Sequence, residues 1–534
     1  MLERLVLASV RHRFLALALS AIVAAVGIAA ARGLSIDAVP DVTNVQVSVL
    51  TPSPGLSPLE VEQYLTYPVE MALNGLPDLE QIRSISRTGV SAVTVVFKEH
   101  VNIWFARQLV SERLRQAEAE IPPGFGRPEL GPVATGLGDI YEFVLHSEQH
   151  TPMELRTTLD WVIGPRLRQV PGVIEVNALG GEAKQFQVLV DPRKLIDHRL
   201  AFSQVVEAIE RNNGSVGGGY IEKDGESFVI RAEGLAGTVE DLEDIVLRTD
   251  QDGTPVLLKQ IAKVQIGAAL RFGSATQLGR GRVVVGTVMM LIGSNSREVV
   301  AAVKQKVGEI QKDLPAGMRI EPFNDRATFI DRVLKTVFLN LAEGAGLVLL
   351  VLLVALGSLS GSIVAALAIP LAMLVAVMGM RVVGVDGNVM SLGAIDFGLL
   401  VDGAIVMLEA VLTHLALRAP PRERVVEEVG VAASRVARPV AFSVAIILLV
   451  YLPLMSLEGV EGKMFRPMAI TVAMALGAAL LFTLTTFPAA LAVVARPPKH
   501  GHEGGRRYQA VLAAYVRMLE RALRRPRIAV GAAL

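Results

Sequence analysis

The stretch VMSLGAIDFGLLVDGAIVMLEAVLTH, residues 389–414, decides the fold of this chain. It is long and apolar enough to cross a membrane as a helix, yet it carries three carboxylates, Asp396, Asp402 and Glu409. Each acidic side chain near the centre of a bilayer costs roughly 2.5–3.5 kcal/mol on insertion scales. The stretch therefore predicts a membrane helix whose carboxylates face protein or water instead of lipid.

The spacing of the three carboxylates divides them between two sides of a helix. At about 100° per residue, Asp402 and Glu409 fall within about 20° of each other and lie roughly 10 Å apart along the axis. Asp396 lies about 120° from Asp402 by the same geometry, so we expect it to meet a different helix. Ionisable groups inside a membrane are functional by default, because a carboxyl group whose exposure changes can bind and release protons. The alternative is a buried polar clasp that only pairs helices.

Composition places the chain among membrane proteins and excludes several other classes. The 534 residues are 51% hydrophobic and 19% charged, with a mean hydropathy of +0.46. The formal net charge is zero, so the chain has no overall excess of basic residues that would indicate nucleic-acid binding. The absence of cysteine excludes disulfides, thiolate metal sites and cysteine nucleophiles. The glycine-rich run at 214–219 lacks the following Lys-Ser/Thr of a phosphate loop, and no serine-histidine-aspartate arrangement supports an enzyme.

Apolar runs predict six membrane-spanning helices. The first, residues 14–31, follows a basic N-terminus; a signal peptide is the alternative, but the run is long enough to span a bilayer and further spans follow. The other five predicted spans are 337–356, 363–384, 389–414, 437–457 and 467–495.

The distribution of arginine predicts how these spans are oriented in the membrane. They cluster in the predicted loop 415–437 and in the segment 496–527. The positive-inside rule places both segments in the cytoplasm. Residues 35–335 are then outside, in the periplasm if the cell is Gram-negative.

The region between the first two spans predicts two α+β subdomains. Strands at 44–52 and within 79–99, with helices at 57–74 and 102–120, give the β-α-β-β-α order that begins a ferredoxin-like split βαβ unit. A second unit begins with a strand at 139–147, a helix near 153–169 and a strand near 172–179, and it continues, after a glycine-rich insertion, at 282–291, 296–313 and 318–323. The predicted fold class is thus a polytopic α-helical membrane protein with a large α+β domain.

The order of these predicted elements divides the chain into domains. The first domain, residues 1–34, contains the first membrane-spanning helix. A later stretch, RPRIAVGAAL (525–534), resembles RHRFLALALS (11–20), so we expect half of a two-fold repeated transporter and the start of a seventh helix. The remaining domains are 35–135, 136–181 with 276–330, the insertion 182–275, spans two to six in 336–495, and a cytoplasmic linker with the start of helix seven in 496–534.

Six motifs carry a resemblance to a known family: DAVPDVTNVQV (37–47), PGLSPLEVEQYLTYPVE (54–70), GLPDLEQIRSISRTGVSAVTVVF (75–97), GLGDIYEFVL (136–145), NNGSVGGGYIEKDGESFVIRAEG (212–234) and AIDFGLLVDGAIVMLE (394–409). On these motifs essentially the whole chain resembles the N-terminal half of a resistance-nodulation-division (RND) efflux pump of the heavy-metal, CzcA-type branch. The resemblance implies a trimeric inner-membrane proton antiporter, not an enzyme, without a cofactor. It also implies a periplasmic adaptor and an outer-membrane channel as partners.

The resemblance assigns roles to the carboxylates. Asp402 matches the family's proton-relay aspartate, and Asp396 and Glu409 match additional carboxylates of the branch that exports divalent metals. Cobalt, zinc, cadmium or nickel is then the expected cargo, since these ions suit carboxylate and imidazole ligands. The chain departs from the family at Ala410, where an asparagine is usual, and the family's second half, with its relay lysine and most periplasmic metal ligands, is missing from the sequence.

Three alternatives stay open. A copper or silver exporter would use a thioether ladder, although methionine is also a common gap-filler in apolar helices. A drug exporter of the same architecture is the second alternative, and an inactive half that only binds pump partners is the third. His500 and His502 resemble a metal site only faintly, and the ladder would comprise Met289, Met290, Met373, Met378, Met380, Met390 and Met407.

Overall fold

A computed structural model of the chain divides it into two compact units. One unit comprises Met1–Leu137, Asn295–Arg297 and Arg326–Leu534, and the other comprises Gly138–Ser294 and Glu298–Asp325. The residues described are 1–534 except 38–39, 54, 233, 250–252, 272, 280, 357–358, 394–396, 419, 496–505, 525–530 and 532–534.

The first unit starts with two helices, of which the sequence predicted only the second. Helix α1, Leu2–Arg11, is amphipathic and buries Val6 and Val10, one turn apart. Helix α2, Arg13–Arg32, is apolar along its length. Arg4 and Arg11 of α1 were interpreted from the sequence only as part of a basic N-terminus. The apolar pair at i, i+4 is the signal that identifies the helix.

An antiparallel sheet with two helical segments follows in the same unit. Its four strands pair in the order second, third, first, fourth, as in a ferredoxin-like fold. The first three strands and the helical segments lie where the sequence predicted them, and the short fourth strand was not predicted. The bounds are β1 Val45–Pro52, α3 Pro58–Val61, α4 Tyr67–Leu73, β2 Leu79–Arg87, β3 Val90–Phe97, α5 Ile103–Glu120 and β4 Glu129–Leu130.

A π-helical turn, Glu62–Thr66, joins α3 to α4. Ser57 and Glu60 form a capping box in front of α3, in which the Ser57 amide donates to Glu60 Oε2 at 2.8 Å. Pro68 follows the π turn at the second position of α4, where its missing N–H removes a helical hydrogen bond. The wider turn absorbs that loss without ending the helix.

The second unit opens with the same local pattern of capping box, π turn and proline. Thr151 and Glu154 form the box, Leu159–Ile163 is the π turn, and Pro165 follows it. The repetition indicates that the two α+β subdomains are versions of one design. Its first elements are β5 Asp139–His146, α6 Pro152–Thr158, α7 Gly164–Leu167 and β6 Val173–Gly180.

A long segment then separates β6 from the strands that complete its sheet. It contains a two-stranded pair, β7 with β12, and a hairpin, β8 with β9. The bounds are β7 Lys184–Val190, α8 Pro192–Asp197, α9 Phe202–Asn212, β8 Val216–Lys223, β9 Glu226–Ala232, α10 Val239–Glu243, β10 Val246–Thr249, β11 Pro255–Leu257, α11 Leu258–Ile261, β12 Ala262–Ala268 and β13 Ala275–Thr276.

The elements that complete the sheet of β5 and β6 follow this segment. They are β14 Arg282–Met290, α12 Ser296–Asp313 and β15 Arg319–Asp325. They give the order β6-β14-β5-β15, the same as in the first sheet. Gly286 of β14 lies opposite Phe143 of β5, where a Cβ would overlap the buried phenyl ring. Glycine at this position therefore lets the ring close the core.

Six helices of the described residues are long and apolar enough to cross a membrane, judged by length and composition. Helix α2 is the first of them, and the other five are formed by the helices between α13 and α20. The bounds are α13 Arg326–Leu356, α14 Leu359–Ala366, α15 Ala368–Val383, α16 Val389–Gly393, α17 Phe397–Arg418, α18 Val425–Met455, α19 Gly459–Leu484, α20 Thr486–Val494 and α21 Arg506–Arg524.

The predicted loop 415–437 is wrong in its length. Helix α17 continues to Arg418, and after a 3₁₀ turn at Arg422–Arg424, α18 begins at Val425. The charged residues there suggested a loop, but buried Val425, Val429, Ala433 and Ala437 form an apolar stripe that packs in one cluster with Val6 and Val10 of α1.

Two other predicted boundaries change. Helix α13 begins at Arg326, 11 residues before the predicted span at 337. The predicted linker contains α21, a basic amphipathic helix. Of the predicted start of a seventh helix at 525–534, only Gly531 is among the described residues.

Candidate functional site

Helix α17 brings Asp402 and Glu409 to one face. The side chains at this face are exposed, whereas the opposite side of the helix packs into the largest apolar cluster through Val401, Ala404, Leu408, Val411 and Leu415. The shared face is the one that the seven-residue spacing predicts. It comprises Gly398, Asp402, Val406, Glu409, Thr413 and Leu417.

Asp396, the third predicted carboxylate, lies outside the described residues. His500 and His502 also lie outside them. Ala410, next to Glu409, is a half-buried residue of α17. The structure therefore places two of the three candidate residues on one face and leaves their roles as predictions.

A cavity of about 350 Å³ lies beside Asp402, between α17 and α18. Asp402 and Ser443 are its polar residues, and both Pro439 and Val440 of α18 contribute to its wall. Pro439 lies inside the continuous helix α18. The remaining lining residues are Leu399, Gly403, Ile405, Val406, Val444 and Ile447.

Gly403 allows the two helices to approach each other beside Asp402. A Cβ at this position would lie 2.9 Å from Val440 Cγ1 of α18 and 3.4 Å from the Thr483 side chain of α19. Real Cβ atoms are not found so close to a branched side chain without displacement, because packed interiors have no spare volume. The glycine after Asp402 is thus needed for packing, and it sets the carboxylate at the edge of the cavity.

Sequence reasoning missed a pair of ionisable side chains farther along the same two helices. His414 Nε2 of α17 lies 2.6 Å from Glu428 Oε2 of α18, and these side chains are 12% and 17% exposed. Arg418 Nη1 lies 3.4 Å from the other Glu428 oxygen. His414 is the last residue of the stretch 389–414, five residues after Glu409, but the sequence gives no sign of its partner across the turn.

A second polar cavity, of about 280 Å³, lies near the start of α19. Lys463 connects it to the segment that follows α2: its Nζ donates to the Thr43 carbonyl at 2.8 Å and lies 3.6 Å from Glu99 Oε1. Asp386 also lines it. Partial burial raises the pKa of the Asp386 carboxyl, the charges of Asp37 and Asp41 add to the rise, and a hydrogen bond with Ser35 opposes it.

The methionines that could form a thioether ladder have other contacts. Met407 is fully buried in the largest apolar cluster, and Met380 is fully buried as well. Met289 Sδ accepts a hydrogen bond from Asn177 Nδ2 at 3.1 Å. These contacts are those of methionines that fill gaps in a core or a sheet.

Over the described ranges, no group of three or more His, Cys, Asp or Glu side chains is arranged to hold a metal ion. The metal expected from the sequence would be cargo and not a resident cofactor.

Known proteins similar to this chain agree on its class. Protein HelA of Legionella pneumophila is 44% identical over all of this chain and 52% of its own length. The cobalt-zinc-cadmium resistance protein CzcA of Cupriavidus metallidurans is 44% identical over 92% of this chain and 48% of its own length. A crystal structure of a heavy metal efflux pump superimposes with a TM-score of 0.83 and 32% identity over 99% of this chain and 50% of that one.

The chain thus spans about half the length of the curated relatives it matches. The model of the AcrB/AcrD/AcrF family matches residues 5–534. The chain therefore belongs to the AcrB/AcrD/AcrF family, and within it to the CzcA-type RND heavy-metal pumps.

Proposed function

We propose that residues 1–534 form one half of a proton-driven exporter of divalent metal cations. The observation that carries the proposal is the exposed face of α17, on which Asp402 and Glu409 stand on a helix otherwise packed into an apolar core. Two carboxylates in such a helix need protein or water against them. In transporters built from two repeats the ion site lies where the repeats meet, which is the position that this face suits.

Asp402 is proposed as the proton relay, with Glu409 and Asp396 in the same translocation path. The cavity between α17 and α18 supports the assignment of Asp402, because it leaves room for water next to the carboxylate. Glu409 lies on the same face about two turns away. Asp396 is assigned from the sequence alone.

The proposed cargo is cobalt, zinc, cadmium or nickel. The names of the relatives support this choice, as do the carboxylates and the absence of cysteine. The copper or silver alternative needs methionines free to bind the ion, and the burial of Met380 and Met407 in the core speaks against it.

The proposed location is the inner membrane, with residues 35–335 in the periplasm. The positive-inside rule supports it, because the turn between α17 and α18 and helix α21 carry the arginine clusters. The proposed porter subdomains are 35–135 and 136–181 with 276–330, and the proposed docking insertion is 182–275. The two sheets of equal strand order support the porter assignment.

We further propose that the chain assembles as a trimer that works with a periplasmic adaptor and an outer-membrane channel. The β8–β9 hairpin supports the trimer, because Tyr220, Phe228 and Val229 are 67%, 52% and 79% exposed. Clustered exposed apolar side chains mark interaction surfaces. Val229→Asp should reduce trimer recovery at least five-fold on cross-linking, and Ser227→Asp on the same hairpin should not; equal recovery of both variants would contradict the trimer contact.

Proton-driven zinc transport tests the function. In everted vesicles containing a full-length pump that includes this half, Asp402→Asn should lower zinc uptake under a proton gradient at least 100-fold without loss of trimer. Asp402→Glu, the matched control, keeps a titrating group and should retain at least a tenth of the rate. Glu409→Gln and Asp396→Asn should lower the rate at least ten-fold. Normal transport by Asp402→Asn would refute the relay.

Growth tests decide the cargo. Cells that express the full-length pump should gain tolerance to zinc, cobalt, cadmium or nickel, and Asp402→Asn should remove that tolerance. Tolerance to copper or silver alone would overturn the divalent assignment and favour the thioether ladder, and tolerance to drugs alone would favour the drug exporter.

A further inference from the structure

An apolar groove of about 400 Å³ runs along helix α2. We call it the α2 groove; it is bounded by Leu15, Leu19 and Val23 of α2 and by Leu371, Leu481 and Phe482 of the facing helices α15 and α19. Of the residues of α2 only Gly27 is buried, so most of the helix surface lies outside the packed bundle. Leu15, Leu19 and Leu481 are 71%, 60% and 59% exposed, so the groove is open along its side.

The α2 groove has two defined ends. Beyond Val23, α2 meets α15 closely at Gly27, where a Cβ would lie 2.7 Å from Leu374 Cβ. At the other end the helix is interrupted at His12, whose ψ is 43°, and α1 forms the boundary. From His12 to Val23 the groove follows the chain for about 16 Å. Half of the hydrocarbon core of a bilayer is about 15 Å thick, so the groove has the length of one leaflet.

The hydroxyl groups that line the α2 groove have partners within the protein. Ser20 Oγ and Thr486 Oγ1 are 2.6 Å apart, and they join α2 to α20. Ser9 and Thr485 each donate to a carbonyl about one turn earlier in the chain, at 2.8 and 2.6 Å. A buried water molecule needs two to four polar partners, which these walls do not offer. A hydrocarbon chain needs none and is the occupant that the walls suit.

Basic side chains stand at the mouth of the groove, where α1 meets α2. Arg11 and Arg13 flank His12 in the chain, and all three are at least partly exposed. Glu3 is the only acidic residue among residues 1–36, and it pairs with Arg438 of α18 at 3.0 Å. The walls add no charge, because residues 344–380 and 467–495 contain no Asp, Glu, His, Lys or Arg. The mouth therefore carries a net positive charge, which an anionic lipid headgroup complements.

We propose that the α2 groove binds one anionic phospholipid of the cytoplasmic leaflet, with an acyl chain along Leu15–Val23 and the phosphate on Arg11 and Arg13. This rests on the membrane location proposed above and not on metal transport. Arginine binds phosphate oxygens through paired donors, and an N–H of the His12 ring at the mouth is a further donor. The bound lipid fills the space between α2 and its neighbours and holds the junction of α1 and α2 at the membrane surface.

A photoreactive lipid tests this site without metal or a proton gradient. The full-length pump that includes this half is reconstituted in phosphatidylcholine vesicles with a trace of phosphatidylglycerol that carries a diazirine in mid-chain. Mass spectrometry of peptides should find the label on Leu19, Val23 and Leu481. Replacing about a tenth of the phosphatidylcholine with unlabelled phosphatidylglycerol should reduce this label at least five-fold. The same amount of zwitterionic phosphatidylethanolamine should leave it within two-fold.

Two matched sets of variants separate the acyl chain from the headgroup. Ala16→Trp fills the groove and should reduce the label at least five-fold, whereas Ala18→Trp, at an exposed position of α2 outside the groove, should leave it within two-fold. Arg11→Gln combined with Arg13→Gln should remove the preference for phosphatidylglycerol. Arg32→Gln, at the opposite end of α2, should keep that preference.

The contrary results are distinct from one another. Label on the outward residues Phe14 and Ile22 but not in the groove would mean that another occupant, such as a helix of a second chain, fills it, and the inference would be wrong. Equal competition by both unlabelled lipids, or a preference that survives the double arginine variant, would refute headgroup recognition. No label anywhere on α2 would refute the membrane location itself. If Ala16→Trp does not fold, the lipid competition and the arginine variants still decide.

Discussion

Arg326 and Asp37, 289 residues apart, form a two-oxygen ion pair in which Arg326 Nη2 lies 2.9 Å from both carboxylate oxygens. The side chains are 10% and 22% exposed, and Arg326 also donates to the Leu137 carbonyl. Asp37 belongs to the segment that follows α2, and its amide donates to the Gly387 carbonyl between α15 and α16. The pair therefore joins the first residue of α13 to a segment that already contacts another connection between membrane helices.

Removing one partner of this pair should destabilise the first unit. Asp37→Asn or Arg326→Gln leaves a nearly buried charge without its counter-charge, which costs about 3 kcal/mol. The double variant should cost less than the sum, because no isolated charge remains. Equilibrium unfolding in mixed detergent micelles measures these differences.

The matched control is Asp78→Asn. Asp78 pairs with Lys98 at 3.5 Å, but the side chains are 44% and 58% exposed, so the loss should be under about 0.5 kcal/mol. Asp78 has φ 54°, a conformation that asparagine also tolerates. Equal costs for Asp37→Asn and Asp78→Asn would mean that burial does not strengthen the Arg326 pair.

Much of the candidate site could be predicted from the sequence because it lies on one helix. The seven-residue spacing of Asp402 and Glu409 places both on one face of any α-helix, and the structure has that face. The role of Gly403 was not predictable, because it depends on how close α18 approaches. Likewise, the His414–Glu428 and Asp37–Arg326 pairs join different helices or distant segments, and helical periodicity contains no information on such contacts.

For the fold as well, features that depend on local sequence were predictable and contacts between distant segments were not. Strand alternation and capping signals located the longer elements of both sheets, including the displaced β14 and β15, because each signal is local. The two-residue strands β4 and β13 were not predicted. The predictions were wrong where charged residues were given more weight than the helical spacing of the apolar residues among them. The starts of α1 and α18 are rich in charge, yet their apolar residues at helical spacing pack on each other, and this tertiary burial decides the structure.

Tyr141 should make the second unit sensitive to alkali. Burial, with the charge of Asp325 added, raises the pKa of its phenol from 10 to about 12. The folded state then keeps a proton that the unfolded state releases above pH 10, so stability is unaffected at pH 7 and falls as the pH rises from 10 to 12. Tyr141→Phe should remove about 2 kcal/mol of that loss.

Unfolding of the Tyr141 variant at pH 7, 10 and 12 checks this expectation. The advantage of Tyr141→Phe over the unchanged chain must grow between pH 10 and 12. Tyr220→Phe is the control, since Tyr220 is 67% exposed, and it should show no such growth. A constant difference at all three pH values would mean that the phenol titrates normally.

Labelling of single cysteines should establish the topology. The chain has no cysteine, so Ser215→Cys and Glu423→Cys are each the sole target, and both positions are exposed. An impermeant maleimide should label position 215 and not 423 in intact cells with a permeabilised outer membrane. After the inner membrane is disrupted, both should react. Labelling of 423 alone in intact cells would invert the proposed orientation.

Residues 1–534 on their own should insert in a membrane and move no metal. Asp402 and Glu409 stand on an exposed face of α17, and alternating access requires a second repeat to move against that face. Without it, no second repeat moves against α17 to expose the face to alternate sides of the membrane, so proton binding cannot be coupled to ion movement. Liposomes containing only this chain should take up no more zinc under a proton gradient than empty liposomes.

Co-expression with a separate chain that supplies the second half should restore part of the transport, and Asp402→Asn should abolish the restored part. No restoration, with stable association of the two chains, would favour an inactive half that only binds pump partners. Proton-dependent zinc uptake by the chain alone would show that α17 and its neighbours suffice, and the two-repeat mechanism would be wrong.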